Sequence, residues 1–145
     1  MSELPNDPLA LAQACAEAMY ERDIAARELG IGITAVGPGA AELTMRVRQD
    51  MLNGHGMCHG GFIFALADTA FAYACNSRNN NTVAQGCSID YVAPGLPDAL
   101  LTATAEERNQ AGRTGVYDVT VTDDKGQVIA LFRGKSYRIK GEVLG

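Results

Sequence analysis

The sequence predicts an α+β domain: a curled, mostly antiparallel sheet of about six strands wrapped round one long central helix, with a further helix at the N-terminus. Three observations lead there. Residues 53–76 hold a glycine-rich approach followed by a nearly all-apolar helical run. Most of what flanks that run alternates apolar and polar residues at the two-residue period of a strand. The 145 residues contain no repeat, low-complexity segment or linker, so 1–145 reads as a single domain.

Between Phe62 and Cys75 the central run carries one ionisable carboxylate, Asp68, with apolar or small residues on every side. A helix apolar all round is normally buried. From Gly61 to Asn76 it is about 24 Å long, too short and too interrupted to cross a bilayer. Strands elsewhere in the chain must wrap it.

In chain order, residues 1–29 form an N-terminal helical segment. Asp7-Pro8 starts a helix, with Asp as N-cap and Pro at the first position, where its missing N–H costs nothing. Leu11, Cys15, Ala18 and Met19 fall on one stripe, suited to packing over the sheet or its edge. Asp23 caps a second short piece that Gly30 ends. A strand, Ile31–Val36, turns through Gly37-Pro38-Gly39 into Ala40–Arg48, where Ala41, Leu43, Met45 and Val47 point inward. The central helix closes in a polar loop, Asn76–Asn81. Thr82–Val92 then places Val83, Cys87, Ile89 and Tyr91 on one face and Gly86 on the other, where a backbone or a ligand can come close. Pro94-Gly95 and Pro97-Asp98 break that strand. Ala99–Arg108 alternates through Leu101, Ala103 and Ala105, and Arg113–Thr122 through Gly115, Tyr117, Val119 and Val121. Asp123-Asp124-Lys125-Gly126 is a hairpin loop with Gly126 at positive φ. Gln127–Ile139, apolar on both faces from Val128 to Phe132, reads as a central strand.

An apolar share of 47% with 20% charged residues is ordinary for a soluble globular protein. A net charge of −5 argues against nucleic-acid binding, which needs a basic footprint. No basic N-terminal stretch feeds an apolar run, so no signal peptide is expected and the expected location is cytoplasmic. Cys15, Cys58, Cys75 and Cys87 are scattered, without a Cys-x-x-Cys pair, and read as small buried thiols in a reducing compartment.

The chemistry concentrates where the chain enters the central helix. Gly60 and Gly61 leave their N–H groups pointing out of the first turn, carrying the helix's partial positive charge. A carbonyl oxygen gaining negative charge would be stabilised there. Asp68 in apolar surroundings should have a raised pKa, as suits a general base or a nucleophile; the alternative is a structural acid hydrogen-bonded to a neighbouring strand. Eight positions separate Gly60 from Asp68, about 12 Å along the axis, so one water cannot touch both on the same helix. If the two act together they come from different subunits, and the protein is at least a dimer. Asn53 can orient a water or a carbonyl, or simply turn the chain before Gly54. His55 and His59 stand four apart but lack a third ligand at a recognised spacing, so no metal is expected. Gly54-x-Gly56-x-x-x-Gly60 lacks the Lys-Ser/Thr ending and the βαβ setting of a phosphate loop.

Asn53-Gly54-His55, His59-Gly60-Gly61 and Leu66-Ala67-Asp68-Thr69-Ala70, with Gly112–Val119 and Leu131–Ser136 downstream, resemble the hotdog-fold acyl-CoA thioesterases, most closely the branch serving phenylacetate breakdown. The resemblance covers most of the chain from Gly30 onward. It implies a hotdog fold, sheets of two subunits pairing, dimers pairing into a homotetramer with shared active sites, and acyl-CoA thioester hydrolysis without a cofactor. Asp68 matches the family's catalytic acid, Gly60 its carbonyl-polarising amide, and His59 and Asn53 its positioning residues. The implied substrates are phenylacetyl-CoA and its ring-hydroxylated relatives. Gly61, Phe62, Phe64, Leu66 and Tyr91 are then candidates for binding the substrate, the side chains lining an apolar slot or serving as plain core. A thiol of pKa near ~8.5 leaves as thiolate without a strong acid.

Two other readings compete. A hotdog dehydratase of 3-hydroxyacyl thioesters usually carries a His-Phe-Pro-Gly type signature, absent here. A non-catalytic acyl-CoA-binding module of this kind carries an added helix-turn-helix, for which the short acidic N-terminus offers no room. In an acidic protein the phosphates of CoA need local cations, and Arg78, Arg113, Arg133, Lys135, Arg138 and Lys140 are candidates. Arg133 and Lys135 share one strand face, Arg138 and Lys140 the other; a solvated basic edge is the alternative.

Overall fold

A computed structural model describes residues 3–145. Asp7 caps helix α1 (Pro8–Arg22) by accepting a hydrogen bond from the Ala10 N–H at 3.1 Å. Asp23 does the same for α2 (Ile24–Glu28) through Ala26, and Gly30, at φ 70°, ends the pair. The fully buried positions of α1 are Ala12, Cys15 and Ala16, so the stripe is turned from the expected one and leaves Leu11 and Ala18 half-buried. Small residues fill it because α1 lies close against the edge strand β1 (Gly32–Gly37).

The other strands are β2 (Ala40–Arg46), β3 (Asn80–Tyr91), β4 (Leu100–Ala111), β5 (Thr114–Thr122) and β6 (Val128–Glu142). They form one antiparallel sheet in the order β1-β2-β4-β5-β6-β3. The central helix α3 (Gly60–Cys75) carries the chain from β2, near one edge, to β3 at the other, and hairpins fill in β4 to β6 between them. Every inward position expected on β2, β4 and β5 is buried, and these residues pack against Ile63, Leu66, Ala67, Ala70 and Phe71 of α3. Burial of a side chain such as Leu66 or Phe71 stabilises by roughly 2 kcal/mol. Gly134 of β6 sits under Phe71, where a Cβ would lie 2.8 Å from the ring. Glycine there lets the helix lie deep on the sheet.

Two expectations need correction. The register of β3 against β6 shifts between Ala84 and Gly86, a bulge at Gln85 that flips the alternation. Ala84, Cys87, Ile89 and Tyr91 oppose Ser136, Gly134, Phe132 and Ala130 on the helix side, whereas Val83 opposes the exposed Tyr137 on the outer face. On β6, interior by pairing, Val128 and Leu131 are exposed, because among the described residues no second layer covers the outer face of the sheet. The polar loop expected after α3 is present, and three of its side chains are buried: Asn76, Ser77 and Asn79 all bond to backbone.

Candidate active site

The approach to α3 is held from both sides. Asn53 Oδ1 accepts from the N–H groups of His55 (2.9 Å) and Met57 (3.2 Å), and the Asn53 N–H donates to Met57 O at 2.8 Å. The side-chain carbonyl of Asn53 is therefore committed to the turn, and its Nδ2 amide is what remains to meet a ligand. The His59 N–H donates to the carbonyl of buried Met51 (2.7 Å), and the Cys58 N–H donates to Gly95 O (2.8 Å). The His59 side chain is exposed and has no hydrogen-bond partner among the described residues.

Inside the helix, the Phe62 N–H closes on His59 O at 3.0 Å. Among the described residues the N–H groups of Gly60 and Gly61 meet no acceptor, as expected of the first turn of a helix without a side-chain cap. The Tyr91 hydroxyl donates to Gly60 O at 2.9 Å, and a Cβ on Gly60 would lie 3.0 Å from the Tyr91 ring. Nothing stands within 4 Å of the corresponding point on Gly61. A cleft of about 400 Å³ opens beside Gly60, lined by Met57, Ile63, Tyr91, Val92, Ala93 and Pro94 among others.

Asp68 lies two turns further along, half-buried, on a flank of α3 shared with Phe64, Ala65, Thr69 and Ala72 that is incompletely covered. Burial raises its carboxyl above the usual carboxylate range. No cation pairs with it among the described residues, and the side-chain contact it makes there is with the Cys87 thiol of β3, whose Sγ lies 4.0 Å from Oδ1. The backbone bond to a strand that a purely structural acid would have is missing. Cys87 departs from the expectation of four buried thiols: its strand forms the bare edge of the sheet, so it is exposed, whereas Cys15, Cys58 and Cys75 are buried.

Gly60 and Asp68 are thus not brought together in one chain: about 12 Å of helix separates them. Of the side chains expected to line an apolar slot, Tyr91 lines the cleft beside Gly60. Leu66 does not, since it faces the sheet and is fully buried. Phe64 packs edge-on to Phe132, ring centroids 5.6 Å apart, and Phe62 is half-buried against the core. The reading of the sequence missed Met57, Ile63 and Val92 to Pro94; Ile63, one turn from Gly60, carried a usable signal, and the segment after β3 carried none. A larger concavity, about 1040 Å³, lies between α1 and β1 at the opposite edge of the sheet, away from Asp68.

Comparison with known proteins gives these features a context. Residues 55–130 match a family model described as the thioesterase superfamily. The chain is 52% identical to the acyl-coenzyme A thioesterase PaaI of Escherichia coli (strain K12) over 130 residues, 90% of this chain and 93% of that protein. The solved structure of the E. coli PaaI protein, from the phenylacetic acid degradation operon, superposes with a TM-score of 0.93 at 50% identity, covering 94% of this chain and 99% of that one. A hypothetical thioesterase from Streptococcus pneumoniae TIGR4, solved with coenzyme A, superposes with a TM-score of 0.79 at 26% identity, covering 86% of this chain and 98% of that one. The matched fold is the hotdog arrangement of a curled antiparallel sheet around a central helix.

Proposed function

The chain belongs to the thioesterase superfamily, and we propose that it hydrolyses acyl-CoA thioesters with a preference for phenylacetyl-CoA and its ring-hydroxylated relatives. Acyl-CoA thioesterase activity is the activity named for the E. coli relative. The aryl preference rests on the pathway named for that relative's structure and on the apolar cleft beside Gly60, with the Tyr91 ring as one wall. One observation carries the reading: α3 carries a pair of N–H groups without acceptors at its start and, two turns along on an incompletely covered flank, a half-buried carboxyl with no cation, all among the described residues.

The 12 Å gap is closed by a second copy. Two chains joined along the exposed β3 edges by a two-fold axis set Gly60 of one opposite Asp68 of the other, giving two shared sites, and dimers pair further into a cytoplasmic homotetramer. The Gly60 N–H polarises the thioester carbonyl, with the His59 side chain and the Asn53 Nδ2 amide holding the substrate in place. Asp68 takes a proton from a water as its oxygen bonds to the carbonyl carbon, or attacks that carbon itself to give a mixed anhydride that water opens. In either route the C–S bond breaks and CoA departs as thiolate.

Purified protein incubated with phenylacetyl-CoA, a medium-chain acyl-CoA and acetyl-CoA, with thiol release followed, tests this. The expected order of kcat/KM is the order given, spread over about 10–200-fold, the range available to an apolar pocket. Failure to release CoA from any ester overturns the activity; a dehydratase or a binding module gives that result. A best rate on long-chain esters leaves the activity standing and removes the aryl preference.

A further inference from the structure

We infer that Tyr91 is a positioning residue for the reaction: its hydroxyl holds the Gly60–Gly61 peptide plane, so that the Gly61 N–H becomes a second donor to the thioester oxygen. This rests on the acyl-CoA reading above, in which Tyr91 served only as a wall of the cleft.

Each of the two bare donors of α3 shares a peptide unit with a carbonyl that is itself hydrogen-bonded. The Gly60 N–H belongs to the peptide whose carbonyl is His59 O, which accepts from the Phe62 N–H at 3.0 Å. The Gly61 N–H belongs to the peptide whose carbonyl is Gly60 O, which accepts from the Tyr91 hydroxyl at 2.9 Å. A peptide is planar, so fixing its oxygen fixes the direction of its N–H. Drawing electron density toward that oxygen also makes the N–H a stronger donor, as along any chain of hydrogen bonds. The helix makes the first of these bonds for itself. The second crosses from β3.

The turn needs such a brace. Two consecutive glycines leave the backbone unusually free, and among the described residues the His59 N-cap adds no side-chain bond. Tyr91 fills the space that a side chain on residue 60 would take: its Cζ, Oη and Cε1 atoms lie 3.0, 3.2 and 3.4 Å from that Cβ position. The same position on Gly61 has nothing within 4 Å among the described residues, so that side of the turn is open to a ligand. Tyr91 itself is firmly mounted. The Val92 and Ala93 N–H groups both donate to Ile129 O, at 2.9 and 3.2 Å, and tie the end of β3 to the interior strand β6. Gly95 O, a little further on, holds the Cys58 N–H two residues before Gly60.

The hydroxyl adds little to stability. Tyr91 is 49% exposed, and in the unfolded chain its phenol bonds to water instead. Neighbouring N–H groups in the first turn of a helix can share one anionic oxygen. What the bond secures is therefore the geometry of two donors around the charge that grows on the thioester oxygen. Its effect belongs in turnover, while the ring, as a wall, acts in binding.

Tyr91→Phe removes the hydroxyl and keeps the ring. With phenylacetyl-CoA, kcat per folded molecule should fall about threefold to tenfold, the scale of one neutral hydrogen bond, while KM stays within about twofold. In nuclear magnetic resonance spectra of the variant the Gly61 amide proton should move upfield, as a weakened donor does. An unchanged kcat, a KM that rises with kcat intact, or a Gly61 amide that does not move overturns the assignment. If Tyr91→Phe does not fold, Tyr91→3-fluorotyrosine decides instead. This stronger donor of nearly the same shape should move the Gly61 amide downfield and keep kcat at or above wild type; a static amide or a lower kcat counts against the brace. If wild type releases no CoA from the ester, the functional reading has failed, and the amide shifts judge the brace by themselves. Opposite movements with Phe and 3-fluorotyrosine then support it, and no movement overturns it.

Discussion

At its N-terminal end α3 leaves the Gly60 and Gly61 N–H groups without acceptors, while its C-terminal end is tied down. There the Asn76 N–H and Nδ2 both reach Ala72 O, at 3.1 and 2.9 Å, and the Ser77 hydroxyl donates to Ala74 O at 2.7 Å while accepting from the Gly39 N–H. Asn79 holds the C-terminal tail through the Leu144 N–H at 2.8 Å. The two ends divide the labour. The closed end secures the helix, so the open end can keep donors bare and still be fixed in position by Met51, Gly95 and Tyr91. Asp68 lies between them.

The largest effect should come from that midpoint. Asp68→Asn keeps the shape and removes the base, so turnover should fall by at least ~10²-fold with folding and substrate binding intact. Near-normal turnover would mean the open end works without a carboxylate and Asp68 is structural. Mixing inactive Asp68→Ala chains with inactive His59→Ala chains should restore activity, because a mixed pair rebuilds one whole site. No recovery after confirmed subunit exchange would put both groups to work in one chain, against the helix spacing.

Single changes at the two ends sharpen the contrast. Gly60→Ala forces a Cβ against the Tyr91 ring and should lower kcat by roughly tenfold, less than loss of a whole oxyanion donor, with little change in melting temperature. Asn76→Ala should do the reverse. Leaving buried backbone groups unmet costs about 1–3 kcal/mol of stability, while kcat per folded molecule holds. If both variants lose stability alike, the division of labour is wrong.

The smallest effect is in pH. Burial raises the Asp68 carboxyl, so the folded state holds that proton more tightly than the unfolded chain does. Stability from this group is complete below the ordinary carboxylate pKa and falls as pH rises through the raised, folded value. Asp68→Asn should therefore raise the melting temperature at neutral pH, with the gain vanishing in acid. In wild type the acidic limb of kcat should lie above the range of an ordinary exposed carboxylate, because burial raises the Asp68 carboxyl. A gain that grows in acid would contradict the desolvation of Asp68.

Much of this was legible in the sequence, for identifiable reasons. Alternation exposed β2, β4 and β5 because one face of each is buried, and Asp7, Asp23, Gly30 and Gly126 marked their caps and turns through local chemistry. The spacing of Gly60 and Asp68 spoke through helix geometry alone. What failed depended on contacts distant in sequence. Val83 was misplaced because the bulge at Gln85 is a property of pairing with β6. Leu66 looked like a pocket wall because periodicity alone does not say which flank of an all-apolar helix meets the sheet. The cations were ambiguous until Asp118 and Glu107, from other strands, claimed Arg133 and Arg78.

Gly134 has no chemistry to offer, yet it acts as a shim under the helix. Phe71 rests on it, and Asp68 is one turn earlier on the same rod. Any side chain at position 134 would stand 2.8 Å from the ring, well inside the 3.4 Å at which ordinary contact begins, and so would jack the helix away from the sheet. The carboxylate would rise with it, out of line with a reaction partner anchored in another molecule. A single hydrogen atom on β6 thus sets how accurately two separate chains can meet over one thioester.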